Sequence, residues 1–339
     1  MPWGLAKLLI LWLGFWVVLL GSAAWADTDT FDPAANPGYL PVGYGQQPAW
    51  ILEKPQRVVP DPVMGFKNNP GQVIRSSERT ANQIIWDKTY TIDENSLRVT
   101  PQSDVSTRTG SVSLWGDSFI FGIGLNDDET LAYFLSQRIL GRRILNFGVG
   151  ASATNMMLAR LKEGDWVKLL GEGPATMLHI PLQADIGRIN GFYTEIAWMG
   201  ITPYFVVGPE GAVRAGTMNE YFSWRVRAYN LIRRYFPGFH GNWPLSYSAT
   251  HLRYQCALIA ASASEFKSRA PENSRFILVN HPLLPLPDEV NQCLTSLGVE
   301  VMIPKMQVRP DHRITFDQHP TRQFNLEFAE VLAQELLSH

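Results

Sequence analysis

Two short segments carry residue types that could do chemistry. Gly116, Asp117 and Ser118 follow the strand-like run SVSLW and precede FIFGIG. A serine just past a buried strand can present its Oγ at the sheet edge, with its own backbone N–H aimed at a developing oxyanion. Gly116 lets the chain turn closely, and Asp117 can bond backbone amides and hold the loop. A lone Gly-Asp-Ser is also an ordinary turn. Near the other end, FDQHP sets Asp317 and His319 two positions apart, ahead of Pro320 and a helical stretch. In an extended segment such residues project to the same side. Asp317 would then accept the Nδ1 proton of His319, fix its tautomer and leave Nε2 as a base, which is the second half of a triad. The plainer alternative has Asp317 on a loop and His319 capping it. A metal reading of D-x-H needs further ligands, and no C-x-x-C, H-E-x-x-H or EF-hand loop occurs. No metal and no cofactor are expected.

These segments need elements to position them. From residue 111 onward, strand-like runs (SVSLW, RILNF, TMLHIPL, TPYFVV, RFILVN, GVEVMI) alternate with helical ones. DDETLAYFLSQRILG reads as a helix with acidic residues in its first turn and Gly141 at its end. Residues 217–268 read as mostly helical, interrupted by FPGFHGNWPLS. The last helix, residues 321–337, carries Phe324, Phe328, Val331, Leu332 and Leu336 on one stripe. Strands alternating with helices imply a parallel sheet covered on both faces. In such sheets ligands bind outside the carboxyl ends of the strands, where Ser118 falls. RILNFGVGASA also fits a dinucleotide fingerprint at Gly148, Gly150 and Ala153, but that motif alone is weak.

The rest of the chain sets the context. In residues 1–26, Lys7 is the lone charge, residues 8–20 hold no polar side chain, and Ala24 and Ala26 fit a signal-peptidase site. The apolar run is too short to cross about 30 Å of hydrocarbon comfortably as a helix. We therefore expect a signal peptide over 1–26 and an exported, periplasmic or secreted, body; a membrane association is expected only if this segment stays uncleaved. Residues 27–105 are expected to form an N-terminal extended or β arm: its first part, to about residue 75, is rich in Pro, Gly and Asn and reads as extended or loop-dominated, and residues 84–101 read as a strand or hairpin. A functional domain over 106–339 comes next. Cys256 and Cys293 could pair in an oxidising compartment or remain buried thiols. A net charge of −2 with no basic stripe gives nucleic acid no purchase. Sequence leaves the oligomeric state unknown.

GDSFIFGIG after a strand, ILNFGVGASAT some 30 residues on, and FDQHP before the last helix together resemble the SGNH (GDSL) hydrolase superfamily. That resemblance spans about residues 110–339. It implies a flavodoxin-like three-layer α/β/α sandwich with a parallel central sheet, and ester hydrolysis or acyl transfer. It makes Ser118 the nucleophile and an oxyanion donor, His319 the base and Asp317 its orienting acid. Further oxyanion donors are implied in the loop of Gly148, Gly150 and Ala151. Two departures stand out. Ala151 occupies the position of the second block's last glycine. Ala184, before Asp185, occupies the position of an asparagine whose amide is the third donor; Gln183 is adjacent but could substitute only if the loop bends. Asp117, Gln183, Ala184 and Arg188 are candidate pocket residues; Arg188 could face an anionic substrate group, and an ion pair at the start of its helix is the role expected before that one. The implied substrate is an acylated small molecule or glycan. A second reading is a catalytically weak or inactive carbohydrate-binding or assembly protein of the same fold.

Overall fold

The computed structural model describes residues 39–44, 47–102, 108–209, 211–236 and 246–338. The expected signal segment lies outside them, as does the middle of FPGFHGNWPLS. In chain order the strands are β1 (Tyr39–Tyr44), β2 (Gln47–Lys54), β3 (Val58–Asp61), β4 (Gly65–Asn68), β5 (Val73–Thr80), β6 (Ile84–Thr91), β7 (Ser111–Gly116), β8 (Arg143–Asn146), β9 (Ala175–Ile180), β10 (Pro203–Gly208), β11 (Gly211–Thr217), β12 (Arg275–Val279) and β13 (Glu300–Met302). The helices are α1 (Ser118–Phe121), α2 (Leu131–Ser136), α3 (Thr154–Glu163), α4 (Val167–Leu170), α5 (Ala184–Ile189), α6 (Ile196–Met199), α7 (Met218–Tyr221), α8 (Ser223–Tyr235), α9 (Ala249–Arg269), α10 (Asp288–Ser296) and α11 (Arg322–Leu337).

The central sheet has five strands in the order β13-β12-β9-β7-β8, all parallel. Counted along the chain this is the 2-1-3-4-5 order of the flavodoxin-like doubly wound fold. The strand order reverses between β7 and β9, and Ser118 follows β7 directly. β7 is buried on both faces because alternate residues feed different layers. Val112 and Leu114 pack with Leu131, Phe134, Phe324, Phe328 and Leu332 of α2 and α11. Trp115 packs on the other side with Met157, Leu161, Ile259, Phe266 and Leu294 of α3, α9 and α10. The result is the expected three-layer α/β/α sandwich. The Cys256–Cys293 disulfide joins α9 to α10 across a Cα–Cα distance of 6.3 Å.

Three expectations are corrected. The TPYFVV run is not a strand of the parallel sheet: β10 pairs antiparallel with β11 as a separate hairpin. The DDETLAYFLSQRILG helix is split. Residues 127–129 form a 3₁₀ turn closed by a capping box between Asn126 and Glu129, and α2 starts afresh after Thr130, whose side chain accepts from the Tyr133 N–H. The acidic residues are thus engaged in the turn rather than facing the helix dipole. Finally, of the two readings of the arm's first part, the described residues follow the extended one and not the loop-dominated one. β1, β2, β5 and β6 form an antiparallel sheet in that order, and β3 pairs with β4. Pro55, Pro62, Pro70 and Gly71 occupy turns between short strands, whereas Pro41, Gly43, Pro48, Pro60 and Gly65 lie within the strands themselves.

This sheet is built onto the sandwich. Ile74, Trp86, Tyr90 and Ile92 bury against Phe121 and Ile123, with Ile314 alongside. At Gly124, with φ of +76°, a Cβ would lie 2.6 Å from Ile314 and 3.2 Å from Trp86, so only glycine fits where three segments meet. Gln102 accepts from the Ile144 N–H and donates to its carbonyl, which covers the open edge of β8. The tightest link is Arg98, 1% exposed. Its guanidinium donates to the carbonyls of Phe121, Gly122 and Leu125 and to Asp127, and lies over the rings of Tyr90 and Phe121. Arg98→Ala leaves those carbonyls and a carboxylate without their donor, and we expect it to cost about 3–5 kcal/mol in urea unfolding. Arg98→Lys recovers only a small part, because an ammonium cannot reproduce the planar fork.

Candidate active site

Ser118 opens α1 at the carboxyl end of β7, and it is half-buried rather than sealed in. Asp117 precedes it as the cap, its Oδ1 accepting from the Phe119 N–H at 3.0 Å. The chain returns at Gly148, where a Cβ would come within 2.3 Å of the Phe121 backbone nitrogen. The loop after β8 therefore lies directly on α1. Asn68 of β4 holds it from outside, donating to the Gly148 carbonyl at 2.9 Å.

Within that loop the amides have different fates. The Gly148 N–H donates to Asn146 Oδ1 at 2.9 Å, and the Val149 N–H donates to the Gly116 carbonyl at 3.1 Å. Gly148 is thus no oxyanion donor: its amide already closes the turn. Among the described residues, the amides of Gly150 and Ala151 have no such partner. Ala151 sits at φ +65°, the left-handed region that favours glycine.

The C-terminal pair is brought together by a route other than the one expected. The segment is not extended, because Phe316 and Gln318 on either side of Asp317 have φ of +72° and +73°. Asp317 folds back over His319 instead. Its Oδ2 accepts both the His319 backbone N–H, at 3.2 Å, and the imidazole Nδ1–H. The loop is closed by the Ile314 N–H on the His319 carbonyl and the Gln318 N–H on the Ile314 carbonyl. The imidazole of His319 packs against Phe119, the residue after Ser118, with ring centroids 5.2 Å apart. Phe119 also touches His281 on another edge, at 5.2 Å. His281 is a core histidine, which burial pushes down to about 3, so it stays neutral.

Two of the candidate pocket residues lie beneath the site instead. Arg188 Nη1 donates to Asp117 Oδ2 at 2.7 Å, to the Ser152 carbonyl at 2.9 Å and to Asp185 Oδ1 at 3.0 Å. It joins the loops after β7, β8 and β9 with Asp117 and Asp185 almost fully enclosed, so it is already occupied by the protein's own carboxylates. Glu195 lies 3.8 Å from its Nε. One guanidinium faces three acids, and burial with the nearby Asp117 charge raises the Asp185 carboxyl well above its usual range. Gln183 and Ala184 are half-buried at the start of α5. Gln183 has helical backbone angles, φ −52° and ψ −32°, so the loop does bend there. Ala184 packs into the core and supplies no amide.

A cavity of about 320 Å³ opens beside Gly150 and Ala151, walled by Arg57, Val59, Phe66, Trp198 and Ile201. Half its wall comes from the arm, which the motif pattern gave no reason to place there. Glu78 of β5 was likewise invisible to motif reading, yet its carboxyl reaches Asp317. The only sequence signal was the period-2 pattern of Ile74, Ser76 and Glu78, which puts an acid on a buried face.

Fold and site together define a doubly wound α/β protein with a serine at the topological switch point and a histidine–aspartate pair beside it. No family profile and no curated protein matches this chain. Several solved structures are similar to it. They include an acetylxylan esterase of Geobacillus stearothermophilus in a catalytic mutant form (11% identity over 67% of this chain and 94% of that one, TM-score 0.37). A lipase/acylhydrolase of Enterococcus faecalis is similar at 11% identity, over 67% and 94%, with a TM-score of 0.36. A G-D-S-L family lipolytic protein of Veillonella parvula is similar at 9% identity, over 67% and 96%, with a TM-score of 0.34. At such values the likeness carries no argument of its own, and the weight rests on this chain's sheet order and site geometry.

Two stability outcomes are expected. Arg188→Leu strands buried carboxylates and should lose about 3–5 kcal/mol at neutral pH. The loss should shrink as pH falls through the raised range of the Asp185 carboxyl, and urea unfolding across pH reads both. Ala151→Gly relieves the left-handed strain and should gain about 1 kcal/mol in the same assay.

Proposed function

We propose that this chain is an exported serine ester hydrolase or O-acyltransferase of the SGNH kind, acting on ester-linked acyl groups, acetyl foremost, of glycans. The observation that carries the reading is the placement of His319, held by Asp317, against the residue that follows Ser118 at the switch point. His319 Nε2 takes the Ser118 proton as Oγ attacks the ester carbonyl. The tetrahedral oxyanion is met by the amides of Ser118, Gly150 and Ala151. His319 then protonates the departing alkoxide, leaving an acyl-serine. Water, or a sugar hydroxyl, gives its proton to His319 and attacks the acyl carbon, and Ser118 recovers its proton on release. Asp317 stabilises the imidazolium without itself taking the proton.

The substrate class draws on the site's walls. The cavity beside Gly150 and Ala151 pairs an indole, Trp198 at 42% exposure, with aliphatic side chains. That suits the apolar face of a sugar ring or a short acyl chain. Export draws on the signal-like segment, and the Cys256–Cys293 disulfide fits an oxidising compartment. Ala184, in place of an amide-bearing residue, favours one other reading, a carbohydrate-binding protein of this fold with little catalysis. Loss of one oxyanion donor costs about 100- to 1,000-fold in rate.

Residues 27–339 should hydrolyse a small aryl acetate and label with a fluorophosphonate at Ser118. Ser118→Ala should lose at least about 1,000-fold in kcat and all labelling. Equal rates for the two proteins would leave the binding reading standing.

A further inference from the structure

Glu78 borders the proposed triad, and the role assigned to it rests on that triad. β5 turns Ile74, Ser76, Glu78 and Thr80 inward, toward the face that packs on α1 and on Ile314. Glu78 is 1% exposed and Asp317 is 4% exposed, and the Glu78 carboxyl lies within hydrogen-bonding reach of Asp317. Each has one oxygen, Glu78 Oε1 and Asp317 Oδ1, that is sealed from solvent and lacks a hydrogen-bond partner among the described residues. Two ionised carboxylates in that position would repel at close range, and the His319 donors reach only Oδ2 of Asp317. The nearby charges are engaged elsewhere: Glu53 with Arg57, Arg75 with Asp87, Lys88 with Glu129, and Arg98 with Asp127. A proton on Glu78 gives this buried pair the donor that two carboxylates lack.

We infer that Glu78 is a positioning residue of the catalytic centre, a neutral carboxylic acid that donates a hydrogen bond to Asp317 and holds that carboxylate on His319. Asp317 is the acceptor of the pair, because its Oδ2 already accepts two N–H donors from His319. Burial first, and then the Asp317 charge, lifts the Glu78 carboxyl to about 8, so it is protonated at neutral pH. The arm thereby supplies a group to a triad otherwise drawn from the sandwich. Above about pH 8 the donor ionises, and the Asp317–His319 geometry loses its support.

The test compares wild type with Glu78→Gln and Glu78→Ala. The amide of Gln keeps a donor but cannot ionise. Wild-type kcat for an aryl acetate, corrected for spontaneous hydrolysis, should show a limb near pH 8 that Glu78→Gln lacks. At pH 7, Glu78→Ala should lose about tenfold in kcat with KM shifted less than about twofold, and Glu78→Gln should restore most of it. Stability gives a readout independent of turnover. A folded-state value above the ordinary 4.5 means that the protonated acid stabilises fully below about pH 4.5, and that this contribution is lost as pH rises through about 8. Thermal unfolding of wild type minus Glu78→Gln should therefore fall over that window and be level above it. A pH-independent difference, together with superimposable rate profiles, would overturn the inference while leaving the Ser118 reading intact if Ser118→Ala is dead. A wild type with no Ser118-dependent activity would sink the triad reading, and the stability window alone would then decide whether Glu78 and Asp317 share a proton.

Discussion

One buried guanidinium holds the site together from the arm's side. Arg98 donates to three carbonyls at the end of α1 and just beyond it, and it pairs with Asp127. Those carbonyls belong to a chain reversal that has no sheet partner, and buried carbonyls without donors are costly. The arm supplies the missing donors, so the turn carrying Ser118 depends on a residue that precedes the parallel sheet. Asn68 does the same for the loop after β8, through the Gly148 carbonyl. The antiparallel sheet is better described as the outer wall of the site than as an appendage.

A second guanidinium works from beneath. Arg188 ties the loops after β7, β8 and β9 through Asp117, Ser152 and Asp185. All three contacts converge on the single nitrogen Nη1, so one atom ties the three loops. The switch point of the sheet is where such a brace is needed, since the loops there diverge to opposite sides of the sandwich. Between the arm above and Arg188 below, the two glycine-containing loops are fixed by side chains rather than by regular secondary structure. That arrangement tolerates Ala151 at a left-handed angle.

The sheet and its neighbours were legible because their signals are local. SVSLW, TMLHIPL and RFILVN are short apolar runs between turns, and β7, β9 and β12 lie side by side. TPYFVV has the same local character, yet it forms a hairpin with β11; strand propensity does not say which sheet a strand joins. The pairing of Asp317 with His319 was legible from spacing, but for the wrong geometric reason. Left-handed angles at Phe316 and Gln318, both non-glycine, are set by packing and cannot be read from residue type. The ion pair of Arg188 at the start of its helix was legible, and Asp185 three residues earlier supplies it; the further contacts to Asp117 and Ser152 were not, because those residues lie far away in sequence. Glu78 and Arg98 had no motif at all. Both act across the interface between the antiparallel sheet and the sandwich, and only the tertiary arrangement reveals them.

The position of Ile314 and Gly124 against Trp86 has a consequence for how the molecule comes into being. The wall strand, the serine turn and the histidine loop seal one another at a single point, yet they emerge from the ribosome at the beginning, middle and end of synthesis. No nascent chain lacking its final segment can close that seal. The arm can pack on Phe121 and Ile123 early, but its cover over Gly124 is completed only when the segment carrying Ile314 is in place.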